Sequence, residues 1–261
     1  MTNIISFSGG KDSTALILWA KENLDSFQTI FCDTGWEDNI TYDYIEYINQ
    51  TLLDGNLIVL KSEKYDGFAD LSIKKKRIAS TEARYCTTEL KIIPTKNYIE
   101  QFEDVHLYNG IRAEESSRRA AMDENMFDDY LNCMVHRPIL KWTVERVFDI
   151  HKKYNVKPNP LYKMGMSRVG CFPCIMSNHK EIKILIKNRP DVIDKIRNLE
   201  KIVGTSFFPP VFIPKWACTG MSKNGAKFPT VDDVVKYLSK DTNQTEMFEM
   251  PSCMSFYGLC E

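Results

Sequence analysis

The sequence feature that most constrains the fold is a strand, a Ser-Gly loop and a helix in direct succession near the start of the chain. Residues 4–7 are Ile-Ile-Ser-Phe, residues 8–13 are Ser-Gly-Gly-Lys-Asp-Ser, and apolar residues at helical spacing continue to residue 18. Two adjacent glycines let the backbone turn sharply and come close to a ligand. The N–H groups and the dipole at the start of the helix favour an anion, most often phosphate. The segment therefore predicts a β–α unit with an anion site at the turn.

The side chains around the two glycines favour phosphate binding over the alternative, a turn that serves geometry alone. Lys11 supplies a positive charge for phosphate oxygens, and Ser8, Ser13 and Thr14 supply hydroxyls. Asp12 is placed either to cap the helix or to contact a metal ion. The spacing excludes a Walker A loop, which needs G-x-x-x-x-G-K-[ST], and it excludes a G-x-G-x-x-G dinucleotide fingerprint.

Apolar segments that alternate with helical patterns predict the rest of the sheet. Residues 27–32, 57–60 and 105–110 are expected to be strands, with a helix at 41–53 between the first two. This order is typical of an α/β fold with a doubly wound parallel sheet. The segment Asp33-Thr34-Gly35 follows the second strand, at the edge where open α/β sheets bind ligands. We expect it to line the ligand pocket. The alternative is that Asp33 is an acidic loop residue with no role in binding.

Composition places the chain among ordinary globular proteins and limits its partners. Of 261 residues, 43% are apolar and 26% are charged, and the net charge of −1 gives no overall attraction to nucleic acid or to an anionic membrane. No apolar run approaches the roughly 20 residues of a membrane helix, and we recognise no cleavable signal. We therefore expect a cytoplasmic protein with no membrane partner. Local basic patches are compatible with this net charge. Residues 74–77 form one such patch, and runs of like charge are usually exposed to solvent.

Five further segments carry motifs, and three of them, 84–94, 110–119 and 168–174, contain residues typical of anion or metal binding. Arginines at a strand end can bind phosphate or sulfate bidentately, and we expect this of the segment that follows the strand at 105–110. In chain order the five segments are 84–94, 110–119, 137–143, 159–162 and 168–174.

Taken together and in this order, the motifs resemble the superfamily of PAPS (phosphoadenosine phosphosulfate) reductases and PP-loop ATP pyrophosphatases, a fold described as adenine nucleotide alpha hydrolase-like. The matching motifs between residues 4 and 174 are S-G-G-K-D-S, D-T-G-x-E, G-x-R-x-x-E-S-x-x-R, P-x-x-x-W-T, N-P-L-Y and R-x-G-C-x-x-C. The resemblance implies a PAPS reductase-type domain whose loop holds the phosphates of an adenine nucleotide.

The resemblance also implies which residues form the site. Arg112 and Arg118 would meet the leaving phosphates or an anionic substrate, and with Lys11 and Asp12 they are the predicted catalytic residues. The predicted nucleotide-binding residues are Ser8, Gly9, Gly10, Lys11, Asp12, Ser13, Asp33, Thr34, Gly35 and Gly110.

The chain is expected to have two parts. Residues 1–175 are predicted to form the nucleotide-binding domain, and residues 176–261 a helical, cysteine-bearing extension. Apolar residues at helical spacing occupy residues 178–204, with Pro190 as a break or a second helix start, and Thr230 is the predicted N-cap of a short helix. We expect the tail of the extension to return cysteines to the core.

The eight cysteines suggest a metal, iron–sulfur or redox site, because disulfides are disfavoured in a reducing compartment. Cys171-x2-Cys174 has the spacing used for zinc and iron–sulfur ligation. Cys253 and Cys260 lie close together near the end of the chain. These two pairs are the predicted set of four thiolate ligands.

The identity of the metal is left open by the spacing. Four thiolates serve a [4Fe–4S] cluster or Zn²⁺, and a site without metal is the third alternative. The resemblance favours the cluster, although iron–sulfur relatives carry two adjacent cysteines where this chain has Cys86 followed by Thr87. Cys86 and Cys218 are reserve ligands, whereas Cys32 and Cys133 are expected to be core thiols.

Two enzyme activities and one non-catalytic role are compatible with these residues. The favoured activity is ATP α–β cleavage with Mg²⁺, which would adenylate a substrate linked to sulfur transfer; Lys11 favours it because a full loop suits the extra phosphates of ATP. The first alternative is reduction of phosphoadenylyl or adenylyl sulfate to sulfite, with Cys260 as the attacking thiolate. The second is nucleotide sensing without catalysis. The expected partner is a small-molecule nucleotide; the acceptor would be a nucleic acid, a small thiol or another sulfur donor, and a homo-oligomer is compatible.

Overall fold

The computed structural model describes residues 1–222 and 224–240, and its central element is a six-stranded sheet. The strands are β1 (Thr2–Phe7), β2 (Gln28–Cys32), β3 (Leu57–Leu60), β4 (Val105–Tyr108), β5 (Asn125–Asp128) and β6 (Cys133–His136). Their spatial order is β3-β2-β1-β4-β6-β5. The three strands expected after β1 are all present, each within about two residues of its predicted bounds, the usual uncertainty of an element end.

The sheet is parallel, as predicted, except at one edge. β1 pairs in parallel with β2 and β4, β2 pairs with β3, and β4 pairs with β6. β5 runs antiparallel to β6, because the short turn between them cannot make the long crossover that a parallel connection needs. The strand order reverses between β1 and β4, so the carboxyl ends of these two strands form the edge where doubly wound sheets bind ligands.

The described residues form ten α-helices and three short 3-10 turns. The helices are α1 (Lys11–Asn23), α2 (Asn39–Leu52), α3 (Gly67–Lys74), α4 (Tyr85–Thr87), α5 (Ile93–Ile99), α6 (Ser117–Ala120), α7 (Val144–Lys153), α8 (His179–Asn188), α9 (Pro190–Val203) and α10 (Val231–Leu238). A π-helical turn, Thr88–Ile92, joins α4 to α5, and a small hairpin consists of β7 (Gly220–Met221) and β8 (Lys227–Phe228). No helix in this part of the chain combines the length and the apolar character needed to cross a bilayer.

Helices cover both faces of the sheet, which is why neighbouring residues of β1 are both buried. Ile5 and Phe7 pack with apolar residues of α1, α2 and α7, whereas Ile4 packs on the other face with residues of α5. Ile4 and Ile5 are therefore both fully buried, as expected for a parallel strand between two helical layers.

The extension is helical, and its first helical segment is interrupted as the sequence suggested. Pro190 is the first residue of α9, where its missing N–H costs no hydrogen bond, and α9 ends at Gly204, whose φ is +75°. Thr230 caps α10 by accepting a hydrogen bond from the Asp233 N–H. A third apolar cluster joins this region to the rest of the chain; its members include Trp36, Phe68, Leu185, Ile196 and Phe207.

The amphipathic helix α7 does not bury all of its apolar residues. Apolar residues at positions 144, 147, 148 and 150 predict one apolar face that includes Val144, Val147, Phe148 and Ile150. Val147 and Ile150 are buried, but the Phe148 side chain is 39% exposed. The buried face of α7 instead includes His151, because positions 147, 150 and 151 lie on one side of a helix.

Candidate functional site

The loop at 8–10 connects β1 to α1 and depends on Gly9. Gly9 has a φ of +80°, a backbone conformation that L side chains rarely adopt. A Cβ at this position would also lie 2.9 Å from Thr41 Cγ2 on α2. Glycine is therefore required both by the turn and by the close approach of α2.

The hydroxyl groups of Ser13 and Thr14 stabilise the conformation of the loop through hydrogen bonds. Ser13 Oγ donates to the Gly10 carbonyl oxygen at 3.1 Å and accepts from the Ser8 N–H at 3.2 Å. Thr14 Oγ1 also donates to the Gly10 oxygen, at 2.9 Å. These bonds close the turn immediately before the start of α1, so the loop is preorganised by short local contacts.

Three side chains between residues 151 and 162 hold the loop through hydrogen bonds to its backbone. Asn159 Nδ2 donates to the Gly9 carbonyl oxygen at 3.2 Å, and Tyr162 Oη accepts from the Lys11 N–H at 3.0 Å. His151 Nε2 lies 2.8 Å from the Lys11 carbonyl oxygen, so this nitrogen carries the donated proton. The N-P-L-Y motif thus positions the loop, a role that the sequence did not assign to it.

Asp12 is the centre of a buried ion-pair network. Its side chain is 0% exposed; Oδ2 lies 2.6 Å from Lys11 Nζ and Oδ1 lies 2.5 Å from Arg112 Nε. Arg112 also pairs with Glu114, at 2.6 Å. Burial opposes the charge of Arg112, but the carboxylates of Asp12 and Glu114 outweigh it and raise the pKa of the guanidinium. The geometry gives Asp12 the role of holding Lys11 and Arg112 together at the carboxyl ends of β1 and β4.

The segment after β4 approaches α1 closely and contains, besides Arg112, two adjacent arginines with different surroundings. A Cβ on Gly110 would lie 3.1 Å from backbone atoms of Ser13, which explains the glycine. Arg118, a predicted catalytic residue, is exposed. Its neighbour Arg119 is 2% exposed and forms an ion pair with Glu115. The catalytic role of Arg118 stays a prediction.

Asp33, which directly follows β2, borders an open groove. Its carboxylate accepts hydrogen bonds from Tyr42 Oη at 2.7 Å and from the Gly35 N–H at 2.9 Å, and pairs with Lys61 at 3.1 Å. Burial would raise the pKa of Asp33, but these hydrogen bonds outweigh it and the pKa is lowered. The groove has a volume of about 310 Å³, and Gly35, Tyr65 and Lys64 also line it.

Glu37 shapes the turn that follows Asp33. It is 5% exposed and accepts hydrogen bonds from Thr34 Oγ1 at 2.6 Å and from the Thr34 N–H at 3.2 Å. Tyr42 Oη donates to it as well, at 3.1 Å. Thr34 is consequently fixed on the inner side of the turn, against Cys171 Sγ at 3.5 Å.

We expect Gly67→Ala to lower the free energy of unfolding by about 3 kcal/mol, from left-handed backbone strain and a steric clash together. Gly67 has a φ of +88°, and a Cβ there would lie 2.6 Å from the Thr34 carbonyl oxygen. Gly55→Ala is the matched control, because Gly55 has a φ of +80° but nothing within 4 Å of the added Cβ. We expect about 1 kcal/mol for the control in urea unfolding. Equal losses in the two variants would show that the clash has no effect.

We expect the folded protein to lose stability as the pH falls below about 6.5, the pKa of histidine in an unfolded chain, and His151 to contribute to that loss. Burial lowers the pKa of folded His151 despite its hydrogen bond to the Lys11 carbonyl. Below that pH the unfolded chain therefore binds a proton that the folded chain does not. His151→Gln keeps an N–H donor and removes the titration. Urea unfolding of both proteins at several pH values should show a flatter pH profile for the variant; identical profiles would contradict this role.

Three cysteines meet around a small apolar cavity on the side of the turn opposite the groove. Cys86, Cys171 and Cys174 line this cavity, whose volume is about 30 Å³, together with Thr87 and Lys91. The predicted ligands Cys253 and Cys260 lie outside the described residues. Cys218 is 3% exposed in the extension and is not among the residues that line the cavity, and burial raises the pKa of its thiol.

The donor chemistry of this cavity fits a thiolate-bound metal in part. Three sulfurs at one cavity agree with the kind of ligand that zinc and iron–sulfur clusters use. Among residues 1–222 and 224–240, however, no three His, Cys, Asp or Glu side chains are arranged so that they could hold one metal ion. The four-thiolate site therefore stays a prediction. Cys32 and Cys133 are 8% and 3% exposed and are core thiols, as expected.

Comparison with known families matches residues 2–177 to the phosphoadenosine phosphosulfate reductase domain. The chain belongs to this family. An uncharacterised 37.8 kDa protein of Escherichia phage 186 is 33% identical over 273 residues, covering 82% of this chain and 81% of the phage protein. An adenosine 5'-phosphosulfate reductase of Bacillus pumilus is 26% identical over 172 residues, covering 66% of this chain and 72% of that enzyme.

Other relatives of this PAPS reductase-family chain are longer or more distant. An uncharacterised protein of Methanocaldococcus jannaschii is 29% identical over 76% of this chain, which spans 47% of that protein's length. The crystal structure of phosphoadenylyl-sulfate reductase from Candida auris in a phosphate complex superposes with a TM-score of 0.54 at 15% identity, covering 67% of this chain and 83% of that one. At this identity the likeness shows a shared fold.

Sequence reasoning missed several residues of this PAPS reductase-family site. Glu37 and Tyr42 share hydrogen bonds in the turn after β2, and the motif D-T-G-x-E contained a signal for the first of them. A histidine on the apolar side of α7 was the signal for His151. Lys195 of α9 lies outside the family match, with Nζ 3.9 Å from the Trp36 ring centroid, and burial lowers the pKa of its ammonium. No motif pointed to this contact.

Proposed function

We propose that this chain binds an adenylyl nucleotide at the loop 8–13 and reduces its sulfate group to sulfite. The observation that carries the proposal is the pair of cations, Lys11 and Arg112, held together by Asp12 where β1 and β4 end. Two fixed cations beside a helix N-terminus suit the phosphosulfate of the nucleotide, which carries one negative charge on the sulfate and one on the phosphate. Membership of the PAPS reductase family supports sulfate rather than another anion.

Each residue of the site would have its own role in binding the nucleotide. Lys11 would contact the anionic group of the nucleotide, and Asp12 would keep the side chains of Lys11 and Arg112 in fixed positions. The groove beside Asp33 would take the nucleoside, with Asp33 and Lys61 at its inner edge. Tyr162 and His151 would keep the loop in its binding conformation through their bonds to the backbone of Lys11.

The reaction needs a thiolate and two electrons. In the step we propose, a cysteine thiolate, predicted at Cys260, attacks the sulfate sulfur; an S–S bond forms, the S–O bond to the nucleotide phosphate breaks, and the nucleoside phosphate leaves. A second thiol, from a dithiol reductant, then attacks the cysteine sulfur. This releases sulfite and leaves a disulfide, so the thiols supply both electrons.

A thiolate-bound metal would sit at the cysteine cavity if it is present. Cys171 and Cys174 would supply two of its thiolates and Cys253 of the C-terminal tail another, while Cys260 would stay free as the nucleophile. A [4Fe–4S] cluster would position the substrate or carry sulfur, whereas Zn²⁺ bound by these thiolates would link the C-terminal tail to the core. Iron and zinc analysis of the purified protein with an absorbance spectrum distinguishes the two metals.

A second candidate is ATP α–β cleavage that adenylates an acceptor, and Lys11 favours it. The loop keeps Lys11 against Asp12 with the side chain 11% exposed, at the point where a third phosphate would add negative charge. In this reaction Mg²⁺ would neutralise part of the triphosphate charge. The acceptor would be a nucleic acid, a small thiol or another sulfur donor.

Turnover assays separate these candidates. The protein is incubated with adenylyl sulfate, phosphoadenylyl sulfate or ATP, each with Mg²⁺ and a dithiol, and sulfite, AMP, adenosine bisphosphate and pyrophosphate are measured. We expect sulfite from one of the two sulfated nucleotides. AMP and pyrophosphate from ATP without sulfite from either would favour the second candidate. Stable binding with no product from any of them would indicate a nucleotide sensor.

A further inference from the structure

Residues 178–240, which directly follow the family match, are basic, although the chain as a whole is not. They contain twelve Lys and Arg and six Asp and Glu, a net charge of +6; residues 241–261 add four Asp and Glu and no basic residue, and the whole chain totals −1. A charge asymmetry of this kind between two parts of a chain points to a polyanionic partner of the basic part. The question is then whether these charges are neutralised within the fold.

The carboxylates of this region are occupied by its arginines and by the backbone. Arg189 pairs with Asp191, and Arg197 pairs with both Asp194 and Asp232. The remaining three, Glu181, Glu200 and Asp233, accept hydrogen bonds from backbone N–H groups at helix ends and turns. Seven exposed lysines consequently have no ion pair with any residue of the described ranges 1–222 and 224–240. They are Lys180, Lys187, Lys201, Lys215, Lys227, Lys236 and Lys240.

An exposed tryptophan follows one of these lysines, Lys215, and two others, Lys227 and Lys236, belong to the neighbouring hairpin and to α10. Trp216, on the 3-10 turn Lys215–Ala217, is 73% exposed, and one edge of its ring contacts Tyr237 of α10 at a centroid distance of 6.0 Å. In the adjoining hairpin, Met221 is 64% exposed and pairs with Lys227 across the strands. We call this the Trp216 surface; it consists of Lys215, Trp216, Met221, Lys227, Lys236 and Tyr237.

The Trp216 surface rests on a rigid base. Thr219, between the turn and the hairpin, donates through N–H and Oγ1 to the buried carboxylate of Asp233 in α10, each at 2.8 Å. Cys218, Val231 and Val234 are buried beneath it. The turn, the hairpin and α10 therefore form one unit, and the exposed ring is presented by a fixed backbone.

We propose that the Trp216 surface binds single-stranded nucleic acid. An indole ring that is largely exposed and fixed at its edge can stack on an unpaired base, and the lysines beside it can contact phosphates. A duplex would bury its bases and leave the indole without a partner. The surface lies beyond residues 2–177, so the proposal does not depend on the proposed nucleotide chemistry.

The first test measures the contribution of the ring. Binding of the full chain to a fluorescent oligothymidylate and to a duplex of equal length is followed by anisotropy at low salt. We expect the single strand to bind more tightly, and Trp216→Ala to weaken that binding about tenfold. Phe127→Ala is the matched control, because Phe127 is 51% exposed on β5, outside the extension, and we expect no change. Equal binding of wild type and Trp216→Ala would overturn the proposal.

The second test measures the contribution of the lysines. The triple variant Lys215→Gln, Lys227→Gln, Lys236→Gln should reduce the slope of log affinity against log salt by about 2, since each phosphate contact contributes about 0.7 for single strands. The control triple, Lys141→Gln, Lys152→Gln, Lys157→Gln, removes the same charge from exposed positions outside the extension and should keep the slope. Equal slopes for the two triples would overturn the proposal. Binding to anionic vesicles without binding to the oligonucleotide would also overturn it, because the partner would then be a membrane.

Discussion

Asp12→Ala is expected to lower the free energy of unfolding by about 3–5 kcal/mol, because it leaves two buried cations without their shared counter-charge. The Lys11 side chain is 11% exposed and that of Arg112 is 5% exposed, so water cannot replace the missing carboxylate. Arg112 retains Glu114, which places the expected loss toward the lower end of the range. Urea unfolding followed by circular dichroism measures it.

The matched control for this variant is Asp25→Ala. Asp25 is exposed in the turn between α1 and β2, and we expect its replacement to change stability by less than about 0.5 kcal/mol. Asp12→Asn keeps the shape of the side chain and removes only its charge, so it should show most of the loss. A stability of Asp12→Ala within the range of the control would contradict the buried network.

Lys11→Ala is expected to weaken the binding of adenylyl nucleotides about 10- to 100-fold, the range expected when a charge-assisted contact to phosphate or sulfate is lost. The fold should survive, because Asp12 keeps its ion pair with Arg112. Isothermal titration with adenylyl sulfate and with ATP measures the effect on each nucleotide. A larger loss for ATP would favour the triphosphate candidate, because a third phosphate adds charge near Lys11.

The control for Lys11→Ala is Lys152→Ala, on the exposed side of α7. We expect its nucleotide affinity to equal that of the wild type. Unfolding of both variants is measured as well, so that a loss of affinity is not mistaken for a loss of folded protein. If Lys11→Ala binds both nucleotides as tightly as the control does, the loop does not hold the anionic group.

The sheet and its loop could be predicted because local signals and tertiary structure agree there. Gly9 and Gly10 between an apolar strand and a helix point to one kind of turn, and the parallel order follows from alternating strands and helices. Gly110 belongs to a recognised motif, and the structure gives it a physical reason, the close approach to Ser13. Strands β5 and β6 were not foreseen, because segments of four residues, Asn-Met-Phe-Asp and Cys-Met-Val-His, are too short to show a clear apolar pattern.

The remaining parts of the site depend on contacts between distant residues, which single-sequence patterns do not contain. His151 lies 140 residues from Lys11 in the chain and still bonds to its carbonyl oxygen. The sequence offered two roles for Asp12, a helix cap or a metal ligand. Its role in the ion-pair network was missed because one of its two partners, Arg112, lies 100 residues away in the chain. Arg118 was predicted as the site residue, but the motif G-x-R-x-x-E-S-x-x-R counted from Gly110 ends on Arg119, and the structure shows that Arg119 is the buried arginine.

The most direct test of the account is hydrogen–deuterium exchange of the full chain with and without saturating adenylyl sulfate. The central claim is that the loop after β1 and the segment after β4 together hold the anionic end of the nucleotide. We therefore expect slower exchange in peptides that cover residues 7–14 and 109–113, and unchanged exchange in α8 and α10. Protection confined to other segments, with the exchange of both of these peptides unchanged, would contradict the account.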